Sequence, residues 1–172
     1  TVNPINDAPE AVNDSYSVNE GGTLTENVTS NDTDVEGNTL SAILVTDVTN
    51  GTLNLNLNGS FTYEHDGSET SSDEFTYMVS DGMDESNIST VAINVNLQND
   101  VPVAVDDSYS VDEGGILTET IPGILANDSD GEGDILSITL ETDVTNGILN
   151  LNSNGSFTYE HNGGESTSDD FT

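Results

Sequence analysis

Lysine and arginine are absent from this chain of 172 residues, and so are cysteine and tryptophan. Against that stand 33 Asp and Glu, which give a formal charge of −33. A protein without cationic side chains cannot displace counterions from phosphates, so nucleic acid is excluded as a partner. An anionic membrane surface repels such a chain for the same reason. Without cysteine there is neither disulfide nor thiolate metal site, and without lysine there is no Lys–Asn isopeptide link. Any brace between segments must be packing or a metal ion. Long apolar runs are missing too. Ala42-Ile43-Leu44-Val45 is among the longest, far short of the roughly 20 residues of a bilayer-spanning helix, so direct membrane insertion is not expected. No starting Met, signal peptide or lipidation motif is present, and the chain reads as an internal piece of something longer.

What is there is a repeat. NDAPEAVNDSYSVNEGGTLTE from Asn6 returns as NDVPVAVDDSYSVDEGGILTE from Asn99, and TDVTNGTLNLNLNGSFTYEH from Thr46 returns as TDVTNGILNLNSNGSFTYEH from Thr142. TENVTSND becomes TETIPGILAND between them, an insertion of three residues. This divides the chain into the end of a preceding repeat or linker (1–5), a first domain (6–98) and a second (99–172). The second copy stops at Asp169-Asp170-Phe171-Thr172, whereas the first continues past Phe75-Thr76 through two more apolar segments. The second domain therefore lacks its last strands.

Low hydrophobicity with high charge ordinarily signals disorder, but here the apolar residues alternate. Leu53, Leu55 and Leu57 lead to Asn58-Gly59, then Phe61 and Tyr63. That pattern predicts a β-hairpin on a type I′ turn, repeated at Asn154-Gly155. Further strands are expected at Thr39–Thr46, Phe75–Ser80 and Ser89–Leu97, and no segment has a helical period. The fold class is all-β, with antiparallel sandwiches in tandem. Each core is small, so each domain needs help to be stable.

The unusual feature is NDSDGEGDIL at Asn127–Leu136, with its counterpart NDTDVEGNTL at Asn31–Leu40. Asp128, Asp130, Glu132 and Asp134 occupy every second position, closer together than the Debye length of about 8 Å, so bulk salt relieves little of their repulsion. Spaced carboxylates followed by Gly133 match the opening of an EF-hand loop, but the position for its closing Glu holds Thr139, or Ile43 in the first copy. The EF-hand reading fails. Calcium takes six to eight oxygens and one loop supplies two to four. A calcium site here must be closed by several segments, and the linker is their meeting place.

The order of Glu in VNEGG, Asp-x-Asp in the next loop, Ser-Asp-Gly after FTYMV and Asn-Asp-x-Pro in the linker resembles a cadherin repeat. More closely, it resembles the bacterial cadherin-like, VCBS-type tandem repeats of large secreted or surface adhesins. The resemblance implies Greek-key sandwiches of cadherin or immunoglobulin-like type, with calcium between successive domains. It implies ligands Glu20, Asp73, Asn99, Asp100, Asp128, Asp130 and Asp134 at the complete junction. At the amino end it implies Asn6, Asp7, Asp32, Asp34, Asn38 and Asp81. The linker departs from the cadherin pattern, reading Asn96-Leu97-Gln98-Asn99-Asp100, which implies fewer or weaker ions. The implied role is a structural extender or adhesion repeat, outside the cell or on a bacterial surface, whose partners are neighbouring repeats. The alternatives are a filament subunit that joins other copies by strand donation, and a calcium-dependent module for a surface glycan or cell-surface ligand.

Catalysis is not expected. Carboxylates are the only candidate groups, and duplicated surface loops offer no cleft in which two of them would be pushed apart in pKa. His65 and His161 occupy one repeat position and read as packing or surface residues. Asn-x-Ser/Thr triplets such as Asn50-Gly51-Thr52 follow from turn composition. The GGxGxD nonapeptide of calcium β-rolls is missing.

Overall fold

In the computed structural model residues 5–172 are described; Thr1–Pro4, most of the stretch assigned above to a preceding repeat, lie outside the described residues. The chain divides into two compact units, Thr1–Gln98 and Asn99–Thr172. Both are built of strands and short 3-10 turns, without an α-helix among the described residues.

Unit 1 is a two-sheet sandwich. One sheet has the order β1-β7-β6-β3, from Asp14–Asn19, Ser89–Asn96, Ser72–Ser80 and Ser41–Thr46; the other has the order β2-β5-β4, from Thr23–Asn27, Ser60–His65 and Gly51–Leu55. β1 runs parallel to β7 with Tyr16 opposite Ile93, and the remaining pairs are antiparallel. The period of two explains why these segments form strands: one face of each is apolar and must be covered. Phe61, Tyr63 and His65 of β5, Phe75, Tyr77 and Val79 of β6, and Val91, Ile93 and Val95 of β7 all point inward and are buried. Phe61 joins the two sheets, with edge-on contacts to Tyr16 at 5.6 Å and Phe75 at 5.3 Å. Burying each such aromatic contributes about 1.5–3 kcal/mol.

The hairpin is present, but its turn is not type I′. Asn56 and Ser60 pair through Asn56 N–H to Ser60 O at 2.9 Å, and Gly59 N–H reaches back to Asn56 O at 2.9 Å. Only Gly59 has positive φ, at 82°. The loop therefore has three residues, Leu57-Asn58-Gly59, in a type I turn closed by a glycine bulge. Leu57 consequently leaves the strand and stands 73% exposed. Gly155, at φ 86°, closes the same turn in the second copy.

Unit 2 contains one three-stranded sheet, β8-β10-β9, from Ile116–Glu119, Phe157–His161 and Gly147–Leu151. It copies the β2-β5-β4 sheet of unit 1. The segments that correspond to β1 and β3 are present but form no strand, because in unit 1 their partners are β7 and β6. Of the sandwich core only Phe157 and Tyr159 are buried among the large apolar residues of unit 2.

Candidate metal centre

At the amino end of unit 1 three segments converge. A two-residue bridge between Glu10 and Thr33 lays the opening segment beside the acidic loop, with Glu10 N–H to Thr33 O at 2.8 Å and Thr33 N–H to Glu10 O at 3.0 Å. Asn87 fastens the same segment to the approach to β7: its Oδ1 accepts from Ala11 N–H at 3.1 Å and its Nδ2 donates to Ala11 O at 2.8 Å. Asn6 and Asp7 are thereby carried onto two loops at once. Asn6 Nδ2 donates to Asp81 Oδ2 at 2.8 Å and to Asp84 Oδ2 at 2.9 Å. Asp7 N–H donates to Glu36 Oε2 at 3.3 Å.

The acidic loop is closed by its own backbone. Asp34 Oδ1 accepts from Asn38 N–H at 2.7 Å, and Gly37 turns the chain at φ 73°. Asp34 Oδ2 is buried and has no hydrogen-bond partner. A buried, unpaired carboxylate oxygen is costly unless a positive charge faces it, and the chain has no Lys or Arg to supply one. Asp81, in the turn after β6, is held in its ionised form by donors. The N–H groups of Asp84 and Met83, at 2.8 and 2.7 Å, and the Asn6 amide hold it below the ordinary aspartate value.

Asp32 is oriented differently. Its Oδ1 accepts from Val12 N–H at 2.8 Å and faces the Tyr77 hydroxyl at 3.0 Å. That hydroxyl also lies 3.1 Å from Asp14 Oδ2 and 3.0 Å from the carbonyls of both Val12 and Val28. One proton thus faces four acceptor groups. Burial, with a smaller contribution from Asp32, raises Asp14; burial also raises Asp32, against the hydrogen bonds from Val12 and Tyr77. Burial and the adjacent Asp14 push the Tyr16 phenol up to about 12.

At the other end of unit 1, Glu20 Oε2 accepts from Gln98 N–H at 3.0 Å, so it holds the start of the linker. Asp73 is fully engaged inside the unit. Its Oδ1 accepts from Thr49 N–H at 3.0 Å and Glu74 N–H at 2.9 Å, and its Oδ2 from Asn50 N–H at 2.8 Å and the Tyr63 hydroxyl at 3.1 Å. Burial works to raise this carboxyl, and the N–H donors of Thr49, Asn50 and Glu74 outweigh it, leaving it lowered. His65 is likewise structural, buried, with Nδ1 accepting from Gly21 and Gly67 N–H and Nε2 at 2.9 Å from Thr70 Oγ1. His161 repeats this with Gly114 and Gly163.

Unit 2 reproduces the strap. Asp100 N–H donates to Glu132 Oε1 at 2.8 Å, as Asp7 does to Glu36. Asp130 Oδ1 accepts from Asp134 N–H at 2.9 Å, as Asp34 does from Asn38. Asp128 holds Val105 N–H at 2.8 Å, as Asp32 holds Val12. The Asn99 amide folds onto the Asp100 carbonyl at 2.7 Å.

The structure thus brings together Asn6 with Asp81, and Asp34 with the backbone of Asn38, in unit 1, and Asp130 with the backbone N–H of Asp134 in unit 2. Asp32 and Asp128 instead tie down the opening segment of their units, Asp73 anchors the loop before β4, and Asn38 contributes its N–H. Glu36, Asp84 and Glu132 join the clusters without having been singled out as ligands. For the two glutamates the signal was available, because each continues the every-second-position acidic run; Asp84 becomes a neighbour only through the turn after β6.

These groups suit a hard divalent cation. The acids of this end, Asp34, Glu36, Asp81 and Asp84, offer only carboxylate oxygens, and one of those oxygens is buried without a partner.

Comparison with solved structures finds the fold elsewhere. Human protocadherin-24 EC1-2 is similar with a TM-score of 0.56 and 15% identity, over 91% of this chain and 78% of that one. An endo-fucoidan hydrolase of glycoside hydrolase family 107 is similar with a TM-score of 0.45 and 16% identity, over 94% of this chain. This chain spans 25% of that hydrolase's length. No curated protein sequence matches. The model of the bacterial cadherin-like domain matches residues 6–97 and again 99–172. The match of that model to both copies places this chain in the bacterial cadherin-like domain family.

Proposed function

We propose that the chain is a pair of extender repeats from a large bacterial surface or secreted protein, stiffened by calcium where consecutive repeats join. Membership of a cadherin-like family suggests an adhesion or spacing role. The observation that carries the calcium reading is the buried, unpartnered Oδ2 of Asp34 in a chain without Lys or Arg. Asn6, Asp7, Asp34, Glu36, Asp81 and Asp84 would hold the ion at the apex of the first repeat. Asp100, Asp130, Glu132 and Asp134 would do so in the second. Bound calcium would neutralise the loops and lock the linker, and no catalytic step is part of the role. Extension outside the cell follows from the same reading, since calcium there is abundant enough for sites with dissociation constants of about 10⁻⁴–10⁻³ M.

Small-angle scattering with and without chelator tests this. The maximum dimension should fall, or its spread broaden, when calcium is removed, and recover on its return. Identical profiles in both conditions, together with no heat of calcium binding, would sink the reading.

A further inference from the structure

We propose that Asn162-Gly163 is a self-modification site, at which His161 drives the loss of ammonia from Asn162 and leaves aspartate or isoaspartate in its place. This stands apart from the calcium reading and uses none of its residues.

The chemistry needs a backbone nitrogen beside the side-chain amide, a base for its proton and a donor for the oxygen that takes up charge. Asn-Gly supplies the nitrogen most readily, because glycine has no side chain to hinder its approach to the preceding Cγ. The turn after β10 supplies the rest. Gly163 N–H donates to His161 Nδ1 at 3.2 Å, and Gly164 N–H donates to Asn162 Oδ1 at 2.8 Å. Gly114 N–H reaches the same Nδ1 at 3.1 Å. A ring nitrogen that accepts from two N–H groups presents its lone pair, so the ring proton sits on Nε2 and Nδ1 is the basic atom.

Gly163 N attacks Asn162 Cγ as its proton passes to His161 Nδ1, and negative charge gathers on Oδ1, where the Gly164 N–H meets it. The Cγ–Nδ2 bond then breaks, the proton returns to the departing nitrogen, and ammonia leaves. Asn162 is exposed, so water reaches the five-membered imide and opens it at either carbonyl.

Unit 1 already contains one of the two products. Asp66-Gly67 stands at the same repeat position, with Gly67 N–H to His65 Nδ1 at 3.2 Å and Ser68 N–H to Asp66 Oδ1 at 3.0 Å. Gly67 has φ 80° and Gly163 φ 76°. An aspartate therefore fits this turn with the same two hydrogen bonds. Two other Asn-Gly pairs are internal controls. Asn58 and Asn154 also have donors on Oδ1, the N–H groups of Ser60 and Ser156 at 3.1 and 3.2 Å. Their glycine N–H groups, however, are tied to the carbonyls of Asn56 and Asn152 at 2.9 and 3.0 Å, and a peptide carbonyl is far too weak a base to take the proton.

The test is peptide mapping by mass, with isoaspartate detection, of the full chain held at neutral pH. In the native state Asn162 should convert roughly 100-fold faster than Asn58 and Asn154, the lower end of what a positioned base contributes. In urea the three should convert at about the same rate. His161→Gln keeps an acceptor for both glycines but no base, and should bring Asn162 down to the rate of Asn58. Asp66→Asn should give unit 1 the same reaction at position 66, and it decides the matter if His161→Gln unfolds unit 2. Native conversion of Asn162 no faster than of Asn58 and Asn154 overturns the proposal, and so does a preference that persists in urea. An unchanged rate in folded His161→Gln, or no reaction at position 66 in Asp66→Asn, overturns it as well.

Discussion

Asn6 Nδ2 lies 2.8 Å from Asp81 Oδ2, joining residues 75 positions apart. The bond ties the opening segment to the turn after β6, while in the acidic loop Asp34 Oδ2 is buried without a partner. If a calcium ion answers that oxygen, Asp34→Asn should weaken calcium binding to unit 1 by about tenfold, or 1.4 kcal/mol. Asp130→Asn should do the same in unit 2. Isothermal titration of the two variants separates the sites. Equal affinity in wild type and Asp34→Asn would remove Asp34 from the centre.

Calcium removal should lower thermal stability. One ion at about ten times its dissociation constant adds about 1.4 kcal/mol, which for a domain of this size is a shift of several degrees, on the order of 5–10 °C per ion. Calorimetry in calcium and in chelator reads it. Sodium chloride at matched ionic strength should not substitute, because screening over about 8 Å does not reach within the loop.

Asp73 should behave as a structural anchor. Asp73→Ala strips partners from Thr49, Asn50 and Tyr63 and should cost about 2–4 kcal/mol with calcium affinity unchanged. Its folded-state pKa is lowered, so the native state favours the ionised form. The stability it adds is complete above the unfolded value near 3.9 and is lost as pH falls through the folded value. Asp73→Asn should therefore flatten the acid limb of the stability curve below about pH 4.

The Asp14–Asp32–Tyr77 group carries the opposite sign. Both carboxyls are raised, so the native state binds protons more tightly than the unfolded chain, and stability falls as pH rises from the unfolded value through the folded one. Asp14→Asn replaces one acceptor facing the Tyr77 oxygen with an amide donor. It should raise stability at pH 7 and shrink that loss, as urea denaturation across pH would show. A destabilised Asp14→Asn would mean that the charge is needed.

Gly59→Ala places a methyl group 2.5 Å from Thr29 Oγ1 and 2.8 Å from Asn27 Oδ1, at a φ of 82°. The cost should be about 1–3 kcal/mol, read by denaturant midpoint. Leu57→Asn, in the same loop and 73% exposed, should cost nothing measurable.

Part of this molecule was legible in its residues alone. Alternation placed β5, β6 and β7, and Phe61, Tyr63, Phe75 and Tyr77 proved to be core, because a period of two admits one buried face whatever else the chain does. The repeat marked two matched copies, and a total lack of Lys and Arg set every carboxylate without an internal counter-charge. The turn type was misread because Asn-Gly is compatible with two hairpin geometries, and the pairing of Asn56 with Ser60 chose between them. Which acids gather at the apex was also decided in three dimensions. Asp32 and Asp34 are two residues apart, yet one turns in to Tyr77 and the other caps the Asn38 N–H of its own loop. Asp84 joins Asn6 only because the turn after β6 folds beside the opening segment. Composition determines how much charge must be answered; the direction in which each carboxylate points is set by the strands that carry it, and only their packing fixes that.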